Sequence, residues 1–380
     1  MKIVVAPDSF KGSLSAREVG LAIRKGVERA LPHADIPVVP MADGGEGTLE
    51  CLIDATGGTW RTAEVRNPLG ELIEASYGLL GDGVTCAIEM AQSSGLYLIA
   101  PEQRDPLRTT TYGVGELIQA GLDQGCRRFL LGLGGSATND GGAGMLQALG
   151  VELLDAQGGE IGQGGGELSK LREIRTAGLD PRLADCEFLI ACDVDNPFVG
   201  PKGASHVFGP QKGATPKMVL ELDANLRHFA NLIDQTVGVA IHDLPGTGAA
   251  GGLSGALLAF LGGKLQSGIQ LVIEAVGLEE QLRDADLVIT GEGQIDFQTA
   301  HGKTPSGVAL LAQSHGIPTI ALCGSVGDGI DVLHEQGIAA VYSIVNQPMT
   351  LEEAMARTAE LLTHTAEQVI RTCIMTKQKG

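Results

Sequence analysis

No run of 18 apolar residues occurs in this 380-residue sequence, so nothing in it has the length and hydrophobicity of a membrane helix. The opening residues, MKIVVAPDSFKGS, lack the long apolar core of a signal peptide, which leads us to expect a cytoplasmic protein. The seven cysteines form no CxxC pair, their number is odd, and several sit in apolar runs as small hydrophobes, so a disulfide framework is not expected. The eight histidines include no HxH or HxxxH pair, which argues against a zinc site. Positive charge is scarce: 27 Lys and Arg stand against 46 Asp and Glu, and the formal charge of −19 repels nucleic acid and anionic membranes alike. A Walker A motif is also missing. Gly302-Lys303-Thr304 comes nearest, but Phe297 stands where the first glycine belongs, and the protein-kinase signatures are absent.

What is present is apolar and glycine-rich. A 43% hydrophobic content is ample for cores, and the length suggests two domains of about 100–200 residues each. Glycine occurs 55 times, about double its usual ~7%, in clusters rather than with a period. Six times a short apolar run ends in a loop with carboxylates and, mostly, glycines: KIVVAP–DSFKGS, IPVVPM–ADGGEGT, RRFLLGL–GGSATNDGG, EFLIAC–DVDNPF, ADLVIT–GEGQID and PTIALC–GSVGDG. Runs of Val, Ile and Leu without polar alternation suit strands buried on both faces of a parallel sheet. In open α/β sheets, ligands bind outside the carboxyl ends of such strands.

The pattern predicts strands over 2–6, 36–40, 128–133, 149–154, 187–192, 286–290, 318–323 and 339–344. Helices are expected over 15–31 (capped by Ser13 or Ser15), 48–55, 108–123, 216–236 and 351–373. Residues 58–90 read as an antiparallel excursion, 156–166 as loop, and 247–262 as a small-residue helix or loop. The expected class is α/β, with two α/β domains, one Rossmann-like with a mostly parallel sheet and the other inserted. Strands of one kind open and close the chain, so the first domain is drawn as 1–57 plus 280–380 and the inserted one as 58–279.

Each loop suggests chemistry. PDSFKGSLSA places Asp8, Ser9, Lys11 and Ser13 at a helix entrance, which is either an anion site or an ordinary cap. In ADGGEGT, Gly44 and Gly45 let backbone approach a ligand between Asp43 and Glu46. LGLGGSATNDGGAG satisfies GxGxxA at Gly132, Gly134 and Ala137, with Asp155 beyond, the outline of a dinucleotide fingerprint. Asp140, Gly141 and Gly142 would weaken the expected helix, so a longer loop wrapping phosphates fits better. Asp193 with Asp195, and Glu292 with Asp296, are spaced to ligate Mg²⁺ directly or through water, although turn formation also suits the first pair. Lys202, Lys212 and Lys303 could offset the negative field around a phosphate, but each taken alone better suits a solvated surface charge.

In this order, PDSFKGSLSA, ADGGEGT, LGGSATNDGG, CDVDNP, VFGPQKGA and ITGEGQID resemble the bacterial glycerate kinase family, over nearly the whole chain. The resemblance implies two α/β domains with a cleft between them and phosphorylation of D-glycerate with Mg-ATP, in the breakdown of glycerate, glyoxylate and sugar acids. It also inclines the product to 2-phosphoglycerate. The chemistry of phosphoryl transfer then distributes the roles. Lys11, Asp43 and Asp8 are the catalytic candidates. Ser9, Lys212, Glu46, Gly44 and Gly45 would bind substrate and phosphate. Gly134, Gly135, Ser136, Gly141 and Gly142 would bind the nucleotide, and Asp193, Glu292 and Asp296 the Mg²⁺. A homodimer is left open. The competing readings are an NAD-dependent oxidoreductase built on Gly132–Ala137, and a non-catalytic two-lobed binding module.

Overall fold

A computed structural model describes residues 1–45, 47–300 and 302–377. The chain divides into two compact units, Met1–Gly57 with Ser267–Gly380, and Gly58–Gln266 between them. The second unit is therefore inserted in the first, and both are α/β. No helix among the described residues is long and apolar enough to cross a membrane.

The outer unit carries a four-stranded, all-parallel sheet in the order Ile3–Val5, Leu287–Ile295, Thr319–Val326 and Ile338–Ser343. Its strands are apolar on both sides because helices cover both faces. On one face Ile3, Val5, Ile289 and Leu322 pack with Val27 of the helix Ala16–Ala30 and Leu362 of Thr358–Lys377. On the other, Ile295, Ala321 and Ile338 meet Ala309 of the helix Thr304–Ser314. The Ala16–Ala30 helix starts with a reciprocal capping box: Ser15 accepts from the Glu18 N–H, and the Glu18 carboxylate accepts from the Ser15 N–H.

Three sequence expectations are adjusted here. Residues 36–40 run parallel to the first strand, with Val38 bridged to Val5, but form no continuous strand. Pro37 and Pro40 have no N–H to give a ladder. The expected closing helix is two, Leu351–Ala356 and Thr358–Lys377, broken at Arg357, whose φ is −104°. The run at 149–154 contributes only Glu152–Leu154, which pairs with Glu173–Arg175 in a separate antiparallel ribbon.

The inserted unit has a six-stranded mixed sheet, ordered Thr59–Arg66, Leu72–Leu79, Thr85–Glu89, Arg128–Gly132, Glu187–Ala191 and Lys264–Gln266. The first two pairings are antiparallel and the other three parallel. Phe129 and Phe188, on adjacent strands, stack at 5.0 Å in its core. The strand Arg128–Gly132 feeds not a helix but a ten-residue glycine loop; the helix Ala143–Ala148 begins only after Gly142. A dinucleotide fingerprint needs that helix to open within the motif, so the NAD reading of Gly132–Ala137 fails on geometry.

Candidate active site

The carboxyl ends of the outer unit's parallel strands gather its acids. Asp8 lies just beyond the first strand, where its N–H donates to the Gly291 carbonyl at 2.8 Å. Its carboxylate accepts from Ser9 N–H at 2.6 Å and from Thr304 Oγ1 at 2.6 Å. Glu292 sits within the neighbouring strand and accepts from Thr299 Oγ1 at 2.6 Å, with Lys303 Nζ 3.8 Å from its other oxygen. Asp43 comes from the loop before the helix Thr48–Thr56, and its Oδ1 accepts from the Gly45 N–H at 3.0 Å. Gly268 fixes that loop: a Cβ there would lie 2.1 Å from the Asp43 carbonyl.

Asp8, Asp43, Glu292, Lys11 and Lys303 line one cavity of about 630 Å³. Asp8 and Glu292 are each only 9% exposed. Burial raises the Asp8 carboxyl against the bonds from Thr304 and Ser9, and the charge of Asp43 adds to the rise. Burial pushes Glu292 up to about 7, with Asp8 and Asp43 adding to the rise and Thr299 and Lys303 opposing it. Three carboxylates line one space with two lysines, Lys11 at its exposed edge and Lys303 beside Glu292, so hard oxygen donors outnumber the cations there. One or two of these carboxylates could hold a divalent cation. Among the described residues no group of three or more His, Cys, Asp or Glu is placed to hold a metal ion by itself. Mg²⁺ seldom uses such a group, being held by one or two carboxylates together with phosphate oxygens and water.

The expected nucleotide loop belongs to the inserted unit and is organised from within. Asp140 is fully buried; its carboxylate accepts from Thr111 N–H at 2.8 Å, Thr111 Oγ1 at 2.9 Å, Gly142 N–H at 3.1 Å and Gly144 N–H at 3.2 Å. Burial raises its carboxyl while these donors pull the other way. The Gly141 N–H donates to the Gly251 carbonyl at 3.0 Å. Gly142 has φ +83°, and a Cβ on it would strike Ala256 at 2.5 Å. The N–H groups of Gly141 and Gly142 therefore already have partners within the inserted unit. Gly134 and Gly135 are exposed. Ser136 accepts from Lys212 Nζ at 2.7 Å, and the same ammonium donates to the Thr138 carbonyl at 2.8 Å. Lys212 is 1% exposed, and burial lowers it to about 7 despite the nearby charge of Asp140. In this state it is a strut of the glycine loop.

Of the expected metal ligands, Asp193 lies exposed in the inserted unit. Asp296 accepts from Gln298 N–H at 2.8 Å and Gln294 Nε2 at 3.1 Å, which closes its own turn. Glu46 lies outside the described residues. The sequence reading had not assigned Thr299 and Thr304, the hydroxyls that fix Glu292 and Asp8. Each follows a charged or polar turn at a helix entrance, a signal too common to have singled them out.

A parallel sheet whose carboxyl ends collect acids and lysines about one cavity defines an α/β enzyme acting on a small anionic ligand. The chain belongs to the glycerate kinase family, whose sequence profile matches residues 3–374. It is 55% identical over 354 residues to the glycerate 2-kinase of Escherichia coli K12, covering 93% of each chain. It is 52% identical over 369 residues to the glycerate kinase of Bacillus subtilis 168, covering 97% of each. Among solved structures it matches a candidate glycerate kinase 2 from Salmonella typhimurium LT2 with a TM-score of 0.92 and 50% identity, over 100% of this chain and 99% of that one.

Proposed function

We propose that the protein is a glycerate 2-kinase that transfers the γ-phosphoryl group of ATP to the C2 hydroxyl of D-glycerate, working in the cytoplasm. The likeness to the Escherichia coli glycerate 2-kinase over 93% of the chain carries this reading. The acidic cavity of the outer unit supplies its chemistry.

Phosphoryl transfer needs positioning and charge neutralisation more than covalent help. Glu292 and Asp8 would hold Mg²⁺, which supplies charge stabilisation on the transferring phosphoryl oxygens. Lys11, at the cavity's exposed edge, and Lys303, beside Glu292, offer donors to phosphate or to the glycerate carboxylate. Asp43, held through one oxygen by Gly45, would take the hydroxyl proton as the glycerate oxygen bonds to phosphorus and the bond to the ADP oxygen breaks. Ser9, Gly44 and Gly45 shape these two turns, since the N–H groups of Ser9 and Gly45 hold the carboxylates in place.

The test is direct. Purified protein with D-glycerate, ATP and Mg²⁺ should release ADP, lose that activity in EDTA and regain it with Mg²⁺. Phosphorus NMR of the product should show the doublet of a phosphate on C2, coupled to a single methine proton. A triplet from two methylene protons would place the phosphate on C3, and turnover undiminished by chelation would remove the metal from the mechanism.

A further inference from the structure

The acidic cluster makes up only part of the cavity's lining. At about 630 Å³ the space is in the range of sites for ligands far larger than a three-carbon acid. Much of the rest of that lining is apolar and comes from one stretch of chain, with Ile344, Val345, Met349, Leu351 and Met355. Leu351 is 77% exposed, a large apolar side chain facing solvent beside a charged site. Isolated exposed leucines need no explanation. This one continues a lining group that already holds Met349 and Met355.

Polar bonds tie this group to the acidic part of the lining. Ser13 Oγ donates to the Met355 carbonyl at 2.7 Å and lies 2.7 Å from Thr358 Oγ1, joining the turn that carries Asp8 and Lys11 to the Leu351–Ala356 helix. The Ile344 N–H donates to the Cys323 carbonyl at 2.8 Å, and the Val345 N–H to Ser343 Oγ at 3.2 Å, seating that part of the group on the sheet's edge. The apolar and acidic parts of the lining are thus tied into one framework. A ligand that fills such a cavity has a charged part and an apolar part.

We propose that this cavity is the nucleotide site, with the base of ATP lying against Val345, Met349, Leu351 and Met355 and its phosphates at Asp8, Glu292 and Lys303. Methionine sulfur and methyl groups suit the face and edge of a heteroaromatic ring. The assignment rests on the kinase reading above. It moves the phosphates away from the inserted unit's glycine loop, whose Gly141 and Gly142 N–H groups already have partners.

Titration with a non-hydrolysable ATP analogue and, separately, with inorganic tripolyphosphate, both with Mg²⁺, tests the proposal. Met349→Ala should weaken the analogue by roughly tenfold while leaving tripolyphosphate, which has no base, and the KM for glycerate unchanged. Leu351→Ala, at an exposed position that the fold does not need, should act in the same direction. Unchanged analogue binding in both variants, or equal weakening of the analogue and tripolyphosphate, would overturn the site. The kinase reading has its own control in the unmodified protein. If that protein binds the analogue in a Met349-dependent way yet never phosphorylates glycerate, the site stands and the substrate assignment falls.

Discussion

Glu292 is the residue whose environment most opposes its charge. Its carboxyl is pushed from an ordinary 4.5 up to about 7 by burial first, then by Asp8 and Asp43. Below pH 4.5 it is protonated both folded and unfolded and costs nothing. As the pH rises from 4.5 to about 7 the unfolded chain ionises first, so the metal-free folded state loses stability across that window. The loss is at most about 3 kcal/mol. Glu292→Gln should therefore flatten the pH dependence of thermal unfolding and raise the melting temperature of metal-free protein at pH 8, while lowering turnover. A variant that melts lower at pH 8 would show that the Lys303 contact outweighs burial. Lys11 presents the opposite case, an exposed cation at the cavity's edge. Lys11→Ala should cost about 10²-fold in kcat, the loss expected when one preorganised donor to developing charge is removed. Its stability should change by no more than ~0.5 kcal/mol. A near-wild-type rate in steady-state kinetics would reduce Lys11 to a solvated charge.

At the scale of elements, the glycine loop of the inserted unit shows how a segment without helix or strand is held. Asp140 accepts four hydrogen bonds from Thr111, Gly142 and Gly144, and Lys212 pins Ser136 and Thr138. Truncating that hub leaves buried donors unpaired, so Asp140→Ala should destabilise the protein by roughly 2–4 kcal/mol, read as a lower urea midpoint. A loss below ~0.5 kcal/mol would mean that water or a neighbouring group replaces the carboxylate. The same loop explains why the GxGxxA pattern misleads. Sequence shows the glycine spacing, but the helix that gives the pattern its meaning starts at Ala143, beyond the motif. The proline-interrupted segment at 36–40 errs for a related reason. Its apolar residues read as a strand, and its two missing N–H groups leave it alongside the sheet with only isolated bridges.

For the whole molecule, charge poses the functional problem. A net −19 opposes the approach of two anionic substrates. Screening lengths fall from about 30 Å at 0.01 M salt to about 10 Å at 0.1 M. Raising KCl across that range should therefore increase kcat/KM for glycerate, as long-range repulsion is screened faster than the short contacts inside the cavity. A fall over the same range would mean that Lys11 and Lys303 dominate the field felt at the cavity mouth.

The sequence by itself determined the class of fold and the family. Unalternating Val, Ile and Leu runs have few solutions other than buried parallel strands, and six ordered motifs leave little room for coincidence. It also marked where ligands would be met, because acids and glycines after such strands fall at the carboxyl edge of the sheet. Tertiary structure decided which of those loops share a space. Asp8, Asp43, Lys11 and Glu292 line one cavity, whereas Asp296 closes its own turn and Lys212 is enclosed as a strut. It likewise decided that residues 344–355 supply apolar lining to the same cavity as residues near the amino terminus. No local pattern encodes that pairing. Asp8 and Glu292 are far apart in the chain and meet only because their strands lie side by side in the sheet.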